Sequence, residues 1–72
     1  MELMSVGRAL RAIRIEKEMT QEELIELADL SRSQIYYIES GKRIPKLQTI
    51  QTICAALGIS IYDLVCYIYC RD

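Results

Sequence analysis

Residues 20–42 read TQEELIELADLSRSQIYYIESGK, and two helix starts inside this stretch decide the fold. Thr20-Gln21-Glu22-Glu23 is a capping box: the Thr20 hydroxyl accepts from the amide of Glu23, whose carboxylate reaches back. Met19 before the box and Leu24 after it form the matching hydrophobic staple. Ser31-Arg32-Ser33-Gln34 repeats the device, with Leu30 and Ile35 as its staple. Only Asp29, Leu30 and Ser31 separate the two predicted helices, and a joint that short forces a sharp angle and leaves the second of the pair projecting. In that helix Ile35 and Ile38 turn inward. Arg32, Ser33, Tyr36, Tyr37 and Ser40 fall on the opposite side, an unusual composition for a merely solvated face.

The same punctuation extends along the chain. Ser60-Ile61-Tyr62-Asp63 is a third box, stapled by Ile59 and Leu64. Gly41 and Gly58 supply helix exits, and Pro45 can open the helix that follows it. The spacing predicts helices over 6–18, 21–28, 32–40, 46–57 and 61–69. Their buried stripes are Val6, Leu10 and Ile13; Leu24, Ile25 and Ala28; Ile35 and Ile38; Leu47, Ile50, Ile53 and Leu57; and Ile61, Leu64, Val65 and Ile68.

Seventy-two residues make one small domain, half of them hydrophobic, with three glycines and one proline, which favours helices over turn-rich β architecture. The start, MELMSVGRAL, meets charge too early for a secretory leader, and the apolar run near residues 64–70 falls far short of a membrane span. Cytoplasmic localisation is expected, with Cys54, Cys66 and Cys70 as free thiols. There is no histidine, hence neither the commonest general base nor the commonest metal ligand. Three cysteines do not complete a zinc site, and no glycine-rich loop cradles a phosphate. The composition therefore points away from an enzyme, a metal and a cofactor. The net charge of −1 and the pI of about 5.4 are those of a weak non-specific binder of nucleic acid.

A tight-jointed pair with a projecting second helix is the arrangement that enters a DNA major groove. From about Val6 to Leu64 the chain resembles the Cro/C1-type (XRE-like) helix-turn-helix regulators of bacteria and phages. The likeness rests on Leu10 and Arg14; Thr20 to Leu24; Leu30 to Ile35; Ile38 to Arg43; Pro45; and Leu57-Gly58-Ile59-Ser60. It departs from the family at Ile25, where alanine is usual, at Asp29, where glycine is usual, and at Lys46, where a small polar cap is common. Aspartate tolerates the left-handed region the turn needs. A lysine at a helix N-terminus opposes the dipole, and makes sense if a phosphate lies close by.

The resemblance implies an all-α fold: a compact five-helix bundle of the lambda-repressor-like DNA-binding type, with helices 2 and 3 as the helix-turn-helix and residues 1–72 as a single domain. It implies that Arg32, Ser33, Tyr36 and Tyr37 approach base edges with Gln34 at the margin. Gln21, Ser40, Lys42, Arg43 and Lys46 would then hold phosphates. It also implies that Arg14 and Glu39 form a structural ion pair between the first and third helices. The expected function is sequence-specific regulation of transcription, as a repressor on a pseudo-palindromic operator, with double-stranded DNA as partner and no small-molecule effector. The rival reading is a protein-interaction module, antitoxin-like or an adaptor, that keeps the fold without binding DNA.

One surplus remains. Tyr62, Cys66 and Tyr69 form a second apolar stripe on the last helix, extended by Tyr67 and Cys70, and a monomer of this size has nothing left to cover it. A homodimer with the helix at 61–69 at its seam is expected. The alternatives are a tail that folds back on its own domain or frays.

Overall fold

The computed structural model describes residues 5–70, and these form five helices and no strand. They are α1 (Val6–Glu16), α2 (Gln21–Ala28), α3 (Arg32–Glu39), α4 (Leu47–Leu57) and α5 (Ile61–Tyr69). All three boxes close reciprocally. Thr20 Oγ1 accepts from Glu23 N at 3.0 Å while Thr20 N donates to Glu23 Oε1 at 2.8 Å. Ser31 with Gln34, and Ser60 with Asp63, do the same at 2.9–3.1 Å. The joint between α2 and α3 turns on Asp29, which takes the left-handed conformation at φ 55°.

The ends differ from expectation by a residue or two. α1 stops at Glu16 rather than 18, because Glu18 swings to φ 58° and Met19 N donates back to Arg14 O at 3.1 Å. α3 stops at Glu39, with Ser40 as its cap. α4 begins at Leu47, and Lys46 is a cap whose side chain makes no capping bond.

The core joins Ala9, Leu10 and Ile13 of α1 to Leu24, Ala28, Ile35, Ile38, Ile53, Cys54, Leu57, Leu64 and Ile68. Val6, Ile25, Ile50 and Ile61 pack at its edge. Two expected core residues lie outside. Leu47 is exposed because it occupies the first turn of α4, one turn short of the stripe that Ile50, Ile53 and Leu57 carry inward. Val65 is exposed because Leu64 and Ile68, one turn apart, already face the core, and the next position is rotated by about 100°. α3 is wedged against α1 and α2, with its remaining face left to solvent; α5 packs on α1 and α4.

The crossing of α1 over α3 depends on Gly7. A Cβ built there would lie 1.8 Å from the Ile38 carbonyl oxygen, so the two backbones touch where only glycine fits. Gly7→Ala is expected to push α1 off the end of α3 and cost about 1–3 kcal/mol, as overpacking does. Denaturant titration checks this, and an unchanged midpoint would place the crossing elsewhere.

Candidate nucleic-acid interface

α3 is an eight-residue helix that buries Ile35, Ile38 and Glu39. Arg32, Ser33, Tyr36 and Tyr37 stand on the solvent side, and neither tyrosine enters the core: 53% of Tyr36 and 41% of Tyr37 are exposed. Their rings meet edge to face, centroids 5.5 Å apart at 69°, which holds both phenols in defined positions. The following loop is tied to the same helix. Lys42 N and Arg43 N both donate to Tyr37 O, at 3.0 and 3.1 Å, and the Arg43 guanidinium lies 5.9 Å from the Tyr37 ring. Lys42, Arg43 and Lys46 are all exposed.

Gln21, Arg32, Ser33, Tyr36 and Tyr37 line one shallow cleft of about 230 Å³ between the start of α2 and α3. The structure thus brings four of the expected base-reading residues together with one expected phosphate ligand. Gln34, Ser40 and Gln21 are more committed than the sequence suggested. Gln34 spends its carbonyl oxygen capping Ser31 N, and its side chain belongs first to the box. Ser40 Oγ donates to Tyr37 O at 3.2 Å. Gln21 does not simply face outward, since its Nε2 donates to Glu39 Oε1 at 2.9 Å.

That last bond belongs to a buried network beneath the cleft. Arg14 and Glu39 are 8% and 3% exposed. Arg14 Nε donates to Glu39 Oε2 at 2.7 Å and Nη2 to Oε1 at 3.0 Å, a two-pronged pairing suited to a planar guanidinium. Its third edge, Nη1, donates to Met19 O at 2.6 Å. One ion pair therefore binds α1, the loop before α2, the first residue of α2 and the last turn of α3. Among the described residues no buried side-chain nitrogen or oxygen lacks a partner. The parts played by Gln21 and the Met19 carbonyl had no sign in the sequence. Gly7 did have one: a glycine inside a helical run marks a close backbone approach.

On α5 the uncovered stripe is Tyr62, Val65, Cys66 and Tyr69, spaced at three and four residues, with the two tyrosines 74% and 62% exposed. Tyr67 leaves the expected stripe. It packs against the protein's own core, and its hydroxyl donates to Glu16 Oε2 at 3.0 Å, because its position on α5 faces α1. Cys70 is exposed. The neighbouring Cys66, and then desolvation, hold the Cys70 thiol above its ordinary pKa. A hydrogen bond to Cys66 raises the Tyr62 phenol. Burial, with the Asp63 carboxylate adding, pushes up the Cys54 thiol, as suits a packing residue. The amide and hydroxyl of Ser60 hold the Asp63 carboxyl below its usual range. No three metal-ligating side chains gather among the described residues, and no single helix there is long and apolar enough to cross a membrane.

A short joint turned on a left-handed aspartate, a projecting helix with a polar and aromatic outer face, and a basic loop behind it define a helix-turn-helix domain. Residues 10–64 match the helix-turn-helix family, and the chain belongs to that family, in its Cro/C1-type branch of transcription regulators. It is 42% identical over 62 residues to the immunity repressor protein of Bacillus phage phi105, a match that spans 86% of this chain and 43% of the repressor. It is 42% identical over 60 residues to the control protein C.BamHI of Bacillus amyloliquefaciens, spanning 82% and 74% of the two chains. The fold superposes with a TM-score of 0.77 and 31% identity on the restriction-modification controller protein C.Esp1396I, solved as a tetramer with its natural 35 base-pair operator, covering 88% of each chain.

Glu39→Gln removes the charge that compensates Arg14 while keeping the shape. Breaking one half of a buried pair costs about 3–5 kcal/mol, and a loss of that order is expected in thermal or chemical unfolding. A double replacement of both residues by apolar ones of similar size should lose less than the single change. A Glu39→Gln melt indistinguishable from that of the parent would remove the pair as a structural element.

Proposed function

We infer that the chain is a sequence-specific DNA-binding transcription regulator, a repressor that binds a pseudo-palindromic operator as a homodimer. The observation that carries this reading is the outer face of α3, where Arg32, Ser33, Tyr36 and Tyr37 lie exposed around one cleft with Lys42 and Arg43 tied alongside. Arginine matches the paired acceptors of guanine, and serine serves several bases. Tyrosine offers a ring to thymine methyls and a hydroxyl to bases or phosphates. Lys42, Arg43 and Lys46 hold the flanking phosphates, joined by the second Nε2 hydrogen of Gln21 and by the Ser40 hydroxyl, whose hydrogen turns from Tyr37 O to a phosphate oxygen. Gln34 reaches the margin of the site with its amide nitrogen. That C.Esp1396I has been solved on its operator and that the phage relative is a repressor support the same assignment. The protein works in the cytoplasm, without catalysis, cofactor or small-molecule effector.

The dimer seam is the α5 stripe of Tyr62, Val65, Cys66 and Tyr69, with Cys70 at its end. Aromatic residues left uncovered on one helix suit a two-fold contact, in which each copy covers the same patch of the other. A two-fold seam there sets the two α3 helices on successive major grooves, about 34 Å apart.

Selection from random duplex DNA tests the reading directly. A recovered pseudo-palindrome is expected, and an unenriched pool favours a protein-interaction module instead. On the recovered site, Arg32→Ala should relax specificity at one position of each half and cost about 1–3 kcal/mol per contact. Lys42→Ala should weaken all sequences alike and flatten the salt slope by about one unit. An Arg32→Ala variant with unchanged preference would take Arg32 out of the base-reading set.

Sedimentation without DNA tests the seam. The parent should dimerise at micromolar concentration and Tyr69→Glu should not. A monomeric parent overturns the seam, and a Tyr69→Glu variant that dimerises normally moves it off α5.

A further inference from the structure

An acid from α2 is paired with the arginine of the reading face. Glu22, the second residue of α2, places Oε2 2.6 Å from Nη2 of Arg32, the first residue of α3. Both side chains are mostly exposed, so the pair adds little to folding stability. Its position matters more, because Arg32 lines the cleft on the outer face of α3 and Glu22 stands beside it.

We propose that Glu22 is a specificity-determining positioning residue: its carboxylate aims the Arg32 guanidinium and cancels its charge, so that Arg32 serves base reading and not general phosphate binding. This rests on the DNA-binding reading above and deepens it. An unpaired arginine on this face is long, flexible and attracted to every phosphate. The carboxylate engages Nη2 and removes much of that freedom. The remaining N–H donors stay in one plane, the geometry that the O6 and N7 acceptors of guanine require. The pair is nearly neutral at long range, so it contributes little to the sequence-independent attraction that releases counterions. On a wrong sequence, where Arg32 finds no guanine, the carboxylate still meets the phosphate field and is repelled. Glu22 thus lowers affinity for all DNA and lowers it most where the sequence is wrong, a discriminating element built by repulsion. It fits the low net charge of −1, since this chain cannot lean on bulk electrostatics to stay on DNA.

Glu22 also sits in the first turn of α2, where an acid suits the helix dipole, and a purely structural role there would show only in stability. The test therefore reads binding. Parent, Glu22→Gln, Arg32→Ala and the double variant are titrated with the selected site, with the same site altered at the Arg32 base pair, and with random duplex, at several salt concentrations. For Glu22→Gln, affinity for random duplex should rise about three- to tenfold at low salt, and the salt slope should steepen by about one unit, as when one further phosphate is engaged. Its preference for the correct base pair should shrink about tenfold, the order of one base contact. In the Arg32→Ala background, Glu22→Gln should no longer change that preference, because coupled residues are not additive. Unchanged preference in the single variant, or an equal loss of preference in both backgrounds, overturns the proposal. A parent that discriminates between no sequences brings down the DNA-binding reading and this proposal with it. A parent that discriminates while Glu22→Gln changes nothing overturns the role of Glu22 alone.

Discussion

The buried pairing of Arg14 with Glu39 is the constraint from which the rest of the molecule is built. It lies under the outer face of α3 and joins that helix to α1 by two hydrogen bonds, to the loop before α2 through Met19 O, and to the first residue of α2 through Gln21. Taking both charges out of water is costly, and a hydrophobic replacement of equal size is often no less stable. What such a replacement lacks is direction. Methyl groups pack at many angles, whereas a guanidinium and a carboxylate meeting in two bonds fix both a distance and a plane. The pair thus holds the tilt of α3 relative to α1, and with it the positions of Tyr36 and Tyr37 one turn earlier.

The dependence is sharper because α3 has eight residues, too few to be helical alone. It exists because Ile35 and Ile38 are buried, Ser31 and Gln34 close its first turn, and Glu39 is captured at its last. Every inward position is used for holding the helix. The outward Arg32, Ser33, Tyr36 and Tyr37 are free of that task, whereas Gln34 serves it with its side-chain carbonyl oxygen. The same economy governs α1, where Gly7 lets the backbone lie against the Ile38 carbonyl and Arg14 answers Glu39 two turns further on. Glycine at one end and an ion pair at the other fix the crossing between them.

Much of this could be read in the sequence, because capping boxes and staples are local. Thr20 with Glu23, Ser31 with Gln34 and Ser60 with Asp63 announce their helix starts within four residues, and Asp29 declares the turn. The Arg14–Glu39 pair followed from the family resemblance. What could not be read depends on tertiary neighbours. Leu47 and Val65 are as apolar as their buried neighbours, and only the absence of a facing helix leaves them exposed. Periodicity assigns Tyr67 to the stripe expected at the dimer seam, whereas α1 lies opposite it, with Glu16 in reach of its hydroxyl. Gln21 has the same outward prospects on paper as any first residue of a helix, yet Glu39 claims half of its amide. Periodicity tells which residues share a face. It does not tell what stands across from that face.

The central claim is that DNA meets this chain along the outer face of α3, the start of α2 and the loop that follows α3, with the Arg14–Glu39 network intact beneath. Backbone amide NMR of the parent, titrated with the duplex it selects, tests this most directly. Large shifts are expected to be confined to residues 20–22 and 31–47. Large shifts centred on the polar side of α4 or the free face of α1, with residues 31–43 unmoved, would contradict it.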